Sequence, residues 1–407
     1  MTAGKQQLKH LIQLDCELNR VKDLDILLER ILFEARKMVG ADAGSIYVME
    51  EGKLAIKYAQ NDSIQASLPK GQKLIYSLFT IDINTKSISG YVAATGAVIN
   101  IPDVYTIPDS APYSYDSTYD KISGYSSKSM LAIPLKANTG KILGVIQVIN
   151  SKDKEGNIVP FTNDDELFVT HFADNATVAL ERAQMTRTII LRMIRMAELR
   201  DPKETGMHVN RVAGYSVELY EAYARKKAIP ESEIQRNRDI LRMAAMLHDV
   251  GKVAISDSIL KKPGRFTPEE FEIMKGHTFL GAQLFTGNEQ SDFDEIAKTI
   301  ALTHHEKWNG EGYPGYFEGM KPPENIHENR GLSGMDIPLF GRIVSIADVY
   351  DALISKRVYK DEWPEEQVLT EIEKMSGSSF DPELVDIFFE ILPMLKHIAS
   401  RYQEEEE

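Results

Sequence analysis

The stretch Leu302-Thr-His-His-Glu-Lys-Trp-Asn-Gly-Glu-Gly-Tyr-Pro-Gly315 sets two adjacent imidazoles against an aromatic, glycine-rich turn. Gly and Pro punctuate helices and strands alike, so this composition suits neither. It suits a metal site followed by a shaped loop. If His304 and His305 are ligands, their rings point in different directions and need partners from elsewhere in the chain.

The partners lie upstream and downstream. Six of the nine histidines fall between residues 200 and 330, and His208, His248, His277, His304 and His305 all sit in polar, patterned contexts. Glu204 and His208 stand four apart, on one face of a helix. Taken alone, that spacing belongs more often to an exposed pair. His248-Asp249 follows the apolar run 241–247 and precedes Val-Gly-Lys252. Adjacent helical residues lie about 100° apart, so the two converge only on an ion between their directions, and a carboxylate such as Asp249 can bridge two ions. Lys252 then places a cation where a phosphate would want it. Asp348 lies within the apolar segment 343–350, where burial penalises a carboxylate that is neither paired nor metal-bound.

Around these residues the chain reads as helices joined by short turns: 205–227, 231–248, 268–286, 292–305, 340–355, 365–375 and 382–399. Before them, residues 164–199 form one uninterrupted helical pattern, expected to pair with its twin in a parallel homodimer. The first 163 residues differ. Helical spacing from Leu8 to Met38 gives way to strand-like runs at 45–49, 54–59, 129–137 and 142–150, the last two joined by a turn at 138–141. Between them, 103–128 lacks a period and carries five tyrosines, as a surface loop tucked onto the sheet or as a lid over a ligand.

Bulk properties narrow the function classes. The 407 residues suggest two or three domains. A net charge of 47 − 61 = −14 argues against binding a nucleic-acid polymer. One cysteine, Cys16, allows no internal disulfide and no thiolate cluster, leaving His and carboxylate as ligands. The sequence shows no apolar run of membrane-spanning length and no secretory segment, so a cytoplasmic protein without membrane contact is expected.

Two resemblances follow. Helices flanking an antiparallel sheet, together with Ile146-Gln-Val-Ile-Asn150 and Phe161-Thr-Asn-Asp-Asp165-Glu166, resemble a GAF domain, an α+β small-molecule sensor. This implies an unidentified small ligand and a Lys152–Asp165 pair pinning the lid end, although Ser151 separates Asn150 from Lys152 where the family motif has Asn and Lys adjacent. The second half resembles an HD-GYP domain, the all-α branch of HD phosphohydrolases that opens cyclic di-GMP. The matching residues are Asp201-Pro-Lys-Glu-Thr-Gly-Met-His208, His248-Asp-Val-Gly-Lys252, Ile259-Leu-Lys-Lys-Pro-Gly264, Met274-Lys-Gly-His277, the opening stretch to Pro314, and Asp348-Val-Tyr-Asp351 through Arg357-Val-Tyr-Lys360.

The second resemblance implies that His208, His248, Asp249 and Asp348 hold one ion. Asp249 would bridge to another held by His277, His304 and His305, and Glu204 would reach a third. Two or three ions are therefore expected, iron first and manganese second. Asp249 and Lys252 would serve catalysis, while Lys252, Tyr313, Arg357 and Lys360 would grip the substrate. The product would be linear pGpG, with further cleavage to GMP left open. Alternatives from other classes are a catalytically weak module that signals by binding, and a phosphohydrolase for another nucleotide. The expected order is a sensor over 1–163, a linker and dimerisation helix over 164–199, a phosphodiesterase over 200–400 and an acidic tail over 401–407. A glycine- and proline-rich excursion over 316–334 departs from the family pattern.

Overall fold

The computed structural model describes residues 14, 16–50, 52–69, 74, 79–198, 206–287, 291–316, 331–354 and 364–402. It divides into two compact units, Met1–Arg187 and Thr188–Glu407. Among the described residues no helix is long and apolar enough to cross a membrane.

The first unit is built on an antiparallel sheet. Helix α1 (Leu24–Met38) starts at Asp23, whose carboxylate accepts the amides of Asp25 and Ile26 at 2.9 and 3.0 Å. There follow β1 (Ala41–Glu50), β2 (Lys53–Asn61), α2 (Asp62–Ser67), β3 (Thr80–Asp82), α3 (Ile88–Thr95) and β4 (Ile99–Ile101). Next come α4 (Thr118–Ser123), β5 (Met130–Lys136), β6 (Ile142–Lys152) and β7 (Ile158–Val159). The strand order is β3-β2-β1-β6-β5-β4, with β7 against β6.

Side chains alternate across the sheet with the period of two that a strand imposes. Ile46, Val48, Leu131, Ile133, Ile146 and Val148 face α1 and the first half of α5 (Asn163–Glu198). Tyr47, Met130, Ala132 and Val145 face the opposite layer, formed by α3 and the 104–115 segment. The tyrosine-bearing segment is tucked onto the sheet: Tyr113 and Tyr115 pack against this second layer, and Tyr105 donates to Asp120 at 2.7 Å.

The expected Lys152–Asp165 pair does not form. Asp165 folds back onto its own helix start, accepting the amide and hydroxyl of Thr162 at 2.8 and 2.7 Å. Lys152 instead lies 2.5 Å from Asp42, because the antiparallel β1–β6 register pairs Ala41 with Ser151 and bonds the Lys152 amide to the Gly40 carbonyl, so Lys152 and Asp42 share a face as diagonal neighbours within reach of the long lysine side chain. Ser63 and the Tyr125 hydroxyl also donate to Asp42, and Asn150 donates to the Tyr125 hydroxyl and the Ser126 carbonyl, anchoring the end of the tyrosine segment.

Burial alone would raise the Asp42 pKa, but Lys152, Ser63 and Tyr125 outweigh it and hold the carboxyl below its usual range. The folded value is therefore depressed. The stabilisation is full above the unfolded pKa, near about pH 4, and is lost as pH falls through the lower folded value. Thermal melts of the full chain between about pH 5 and 2 should show this acid loss diminished in Asp42→Asn; an acid limb identical to that of the unmutated chain would contradict the assignment.

The second unit is helical: α6 (Gly206–Lys226), α7 (Glu231–Ala245), α8 (Asp257–Leu260), α9 (Pro268–Lys275), α10 (His277–Gln283) and α11 (Asp292–Thr303), then α12 (Leu339–Ile354), α13 (Glu365–Lys374), α14 (Pro382–Glu390) and α15 (Leu392–Arg401). Its core joins α6, α7 and α12 through Val212, Leu219, Leu241, Ile343 and Ile346, with Leu384, Phe388 and Leu395 closing it. Two expected helices are each split. The 268–286 helix breaks at Gly276, and 382–399 breaks at Ile391, ahead of Pro393. Proline at that second position suits a fresh helix start rather than a helix interior.

Candidate metal centre

Helix α7 ends at Ala245, three residues short of its expected limit, so His248 and Asp249 lie in a turn rather than on a helix. A 3-10 turn, Val250–Ala254, follows. Gly251 explains this path: a Cβ there would stand 1.9 Å from the His277 carbonyl and 2.4 Å from the Gly281 amide. Backbone packs on backbone at that point, and only glycine permits it. The same contact brings the Asp249 turn against the start of α10, where His277 resides.

Helix α11 ends at Thr303, leaving His304 as its cap and His305 just beyond. Their rings do not diverge. The centroids are 4.1 Å apart and tilted by 42°, and both rings join one group with Asp249 and His277. A second group comprises His208, near the start of α6, His248, and Asp348 on α12. Within each group the donor atoms all lie within 4.8 Å of one another.

Asp249 stands between the groups. Its Oδ1 is 3.0 Å from His277 Nε2 and 3.5 Å from His304 Nε2, while Oδ2 is 3.4 Å from His248 Nε2 and 2.6 Å from Lys252 Nζ. Asp348 Oδ1 lies 3.5 Å from His208 Nε2 and 3.8 Å from His248 Nε2. Among the described residues, Asp249 Oδ1 and the Nε2 atoms of His277 and His304 form no hydrogen bond of acceptable geometry despite their burial. Buried polar atoms are seldom left so, and clustered donor atoms facing one another fit a metal ion.

The opposite ring nitrogens are occupied. Nδ1 of His248 lies 2.8 Å from the Ala245 carbonyl, Nδ1 of His277 is 2.7 Å from that of Met274, and Nδ1 of His304 is 3.0 Å from that of Ile300. A carbonyl can only accept, so each ring carries its proton on Nδ1 and presents the Nε2 lone pair. Burial lowers the His304 pKa, and burial with His304 and His277 nearby takes that of His305 well below its normal value. Both stay neutral at pH 7, as ligands must. Burial would raise the Asp249 pKa, yet Lys252 and His248 overcome it and hold the group well below the carboxylate range.

Two residues that lie in the quoted motifs without a role of their own support the site. Asp351, fully buried, accepts from His208 Nδ1 at 2.8 Å and holds Arg211 through both oxygens, with Nε at 2.6 Å and Nη2 at 2.9 Å. It follows Asp348 by three positions in an apolar helix, a spacing that marks a shared face. Asp351→Asn should weaken metal binding at the His208 group about 10- to 100-fold, the usual cost of losing a supporting carboxylate. Competition titration against a chelator reads it, and an unaltered affinity would remove Asp351 from the site's support.

Glu306 is the other. Burial pushes its pKa up to about 7, against the amides of Gly315 and Leu332 that it accepts at 2.6 and 2.9 Å. It thereby ties the end of the Gly-Tyr-Pro turn, at Gly315, to the returning chain at Leu332; nothing in its sequence neighbourhood signals this. Gly312 has no room for a Cβ, which would stand 2.3 Å from the Lys307 amide. The turn lays Tyr313 over His305, with centroids 4.8 Å apart and 32° between planes. Glu204, Arg357, Lys360 and residues 317–330 of the expected excursion lie outside the described residues.

Comparison with known families agrees with this division. The GAF domain family matches residues 23–180, and HD domain families match 205–353 and 323–384. The chain joins a GAF domain to an HD domain. Both candidate ligand groups fall within the residues matched by the HD domain family. A Vibrio cholerae protein named cyclic di-GMP phosphodiesterase is 38% identical over 275 residues, covering 66% of this chain and 51% of that protein. The 3'3'-cGAMP-specific phosphodiesterase 2 of Vibrio cholerae is 40% identical over 217 residues, 53% of this chain and 37% of the relative. A Thermotoga maritima cyclic di-GMP phosphodiesterase is 38% identical, covering 60% of this chain and 55% of its own length. The chain thus spans about half the length of these relatives, or less.

Proposed function

We propose that this chain is a metal-dependent cyclic di-GMP phosphodiesterase of HD-GYP type, regulated through its GAF domain. The observation that carries the reading is Asp249, one carboxylate shared between two His-rich groups beside the Gly-Tyr-Pro turn. His208, His248, Asp249 and Asp348 would hold one ion, and Asp249, His277, His304 and His305 would hold the next. Glu204 would be a ligand to a third. Ligands of imidazole and carboxylate suit iron or manganese better than magnesium. When bound, such ions polarise phosphoryl oxygens and activate water for in-line attack.

The chain's own residues supply the rest. Neutral imidazoles fixed by their Nδ1 bonds keep the donor atoms aimed without rearrangement. Lys252 places a cation beside Asp249, within reach of a phosphodiester oxygen. The Tyr313 ring, clamped on His305 by the Glu306-tied turn, forms one wall of the substrate site, and Arg357 and Lys360 grip the dinucleotide. Cleavage yields linear pGpG.

The 40% identity to a 3'3'-cGAMP-specific enzyme supports a second reading, in which a mixed dinucleotide is the substrate. Residues 164–199 serve as a linker through which two chains pair in parallel. Met185, Ile189, Met193 and Met196 on α5 are all exposed and fall within roughly 80° of helical arc, an apolar stripe that a twin helix would cover. Chromatography of products from manganese-loaded protein with cyclic di-GMP and with 3'3'-cGAMP tests the substrate. pGpG from the former, at the higher kcat/KM, is expected. Faster cleavage of 3'3'-cGAMP would favour the second reading, and cleavage of neither would overturn both.

A further inference from the structure

From His305 a row of aromatic rings runs through Tyr313 to Phe271, a ring to which the proposed reaction gives no role. His305 stacks on Tyr313, and Tyr313 meets Phe271 of α9 edge to face, with centroids 6.1 Å apart and planes at 81°. Tyr313 is half-buried, but Phe271 is 42% exposed. Lys275, one turn along α9, sets its ammonium 5.1 Å from the Phe271 centroid and 5.5 Å from that of Tyr313. Its position is held by Glu272 at 2.5 Å.

The position of Phe271 is built rather than incidental. Helix α9 starts at a capping box between Thr267 and Glu270, with Pro268 at its first position, and stops at Gly276 so that His277 can begin α10 as a ligand. The segment that delivers a metal ligand therefore also delivers Phe271. A core role would bury the ring, whereas here much of it meets solvent, at the outer end of a row that begins on a ligand.

Resting on the cyclic-dinucleotide reading, we propose that Phe271 is the base-stacking platform of the substrate site. With a phosphodiester at the metal centre, its nucleobases must lie beyond the ligands, and the row leads from His305 to Tyr313, 4.8 Å away, and on to Phe271, a further 6.1 Å. Any base presents a π-face to a phenyl ring. A platform of this kind strengthens binding of purine dinucleotides without choosing between guanine and adenine. Lys275 lies over both rings and adds a cation beside an anionic substrate.

The test is steady-state kinetics of the manganese-loaded full chain with cyclic di-GMP and with 3'3'-cGAMP, for Phe271→Ala and Phe271→Trp. Loss of one stacked base should raise KM for Phe271→Ala about 5- to 100-fold, by similar factors for both dinucleotides, with kcat changed far less. Phe271→Trp should restore KM to within about threefold of the unmutated chain. A structural role would not be rescued by the larger ring and would lower kcat together with stability. An alanine KM within twofold, or a kcat loss with KM unmoved, overturns the platform while the substrate reading stands. Failure of the unmutated protein to cleave either dinucleotide overturns both.

Discussion

Asp249→Ala is expected to lower cyclic-dinucleotide hydrolysis on the order of a thousandfold and to strip metal from both ligand groups. The reason is geometric. Asp249 is the residue whose two oxygens face different groups, Oδ1 toward His277 and His304, Oδ2 toward His248 and Lys252. Removing it would deprive both groups of their shared negative ligand and take from Lys252 the carboxylate 2.6 Å away. A bound metal lends several kcal/mol of transition-state charge stabilisation, and about 4 kcal/mol corresponds to three decades of rate. Single-turnover assays with metal analysis of the same sample check it. A variant that keeps its metal and its rate would show that the centre is organised otherwise.

Gly251→Ala should be the most damaging single-methyl change in the HD domain. Its Cβ would collide with the His277 carbonyl at 1.9 Å and the Gly281 amide at 2.4 Å, both backbone atoms that no rotamer change can move. Overpacking of this kind costs about 1–3 kcal/mol. Relief requires the Asp249 turn and α10 to part, which separates Asp249 from His277 and His304. The variant should therefore melt several degrees lower, roughly 2–4 °C per kcal/mol for a unit of this size, and lose affinity at the His277 group before the His208 group. Metal titration with calorimetry follows both. Unchanged melting and unchanged metal affinity would contradict the packing described.

The outline of both units was legible in the sequence, for identifiable reasons. β1, β2, β5 and β6 are long enough for alternation to register, whereas β3, β4 and β7 have three, three and two residues and show no period. The candidate ligand histidines stood out because imidazoles beside aspartate and glycine are a poor choice for a plain helix or strand. What stayed hidden depended on distant packing. Lys152 finds Asp42 across 110 residues of chain through the β1–β6 register, while Asp165 is consumed locally by Thr162. The end of α7 before His248 follows from Gly251 meeting α10, a contact between turns that periodicity cannot show. Asp351 and Glu306 bind groups brought near only by folding: His208 and Arg211 for the first, Gly315 and Leu332 for the second.

The most direct test of the central claim is elemental analysis of anaerobically purified protein coupled to a cyclic di-GMP hydrolysis assay on the same sample. Three iron or manganese ions per chain are expected at full occupancy, with hydrolysis proportional to metal content and loss of both on chelation. Two ions per chain would confine the site to the described ligand groups and remove Glu204 from it. Protein that hydrolyses cyclic di-GMP at full rate after its metal has been removed would contradict the account.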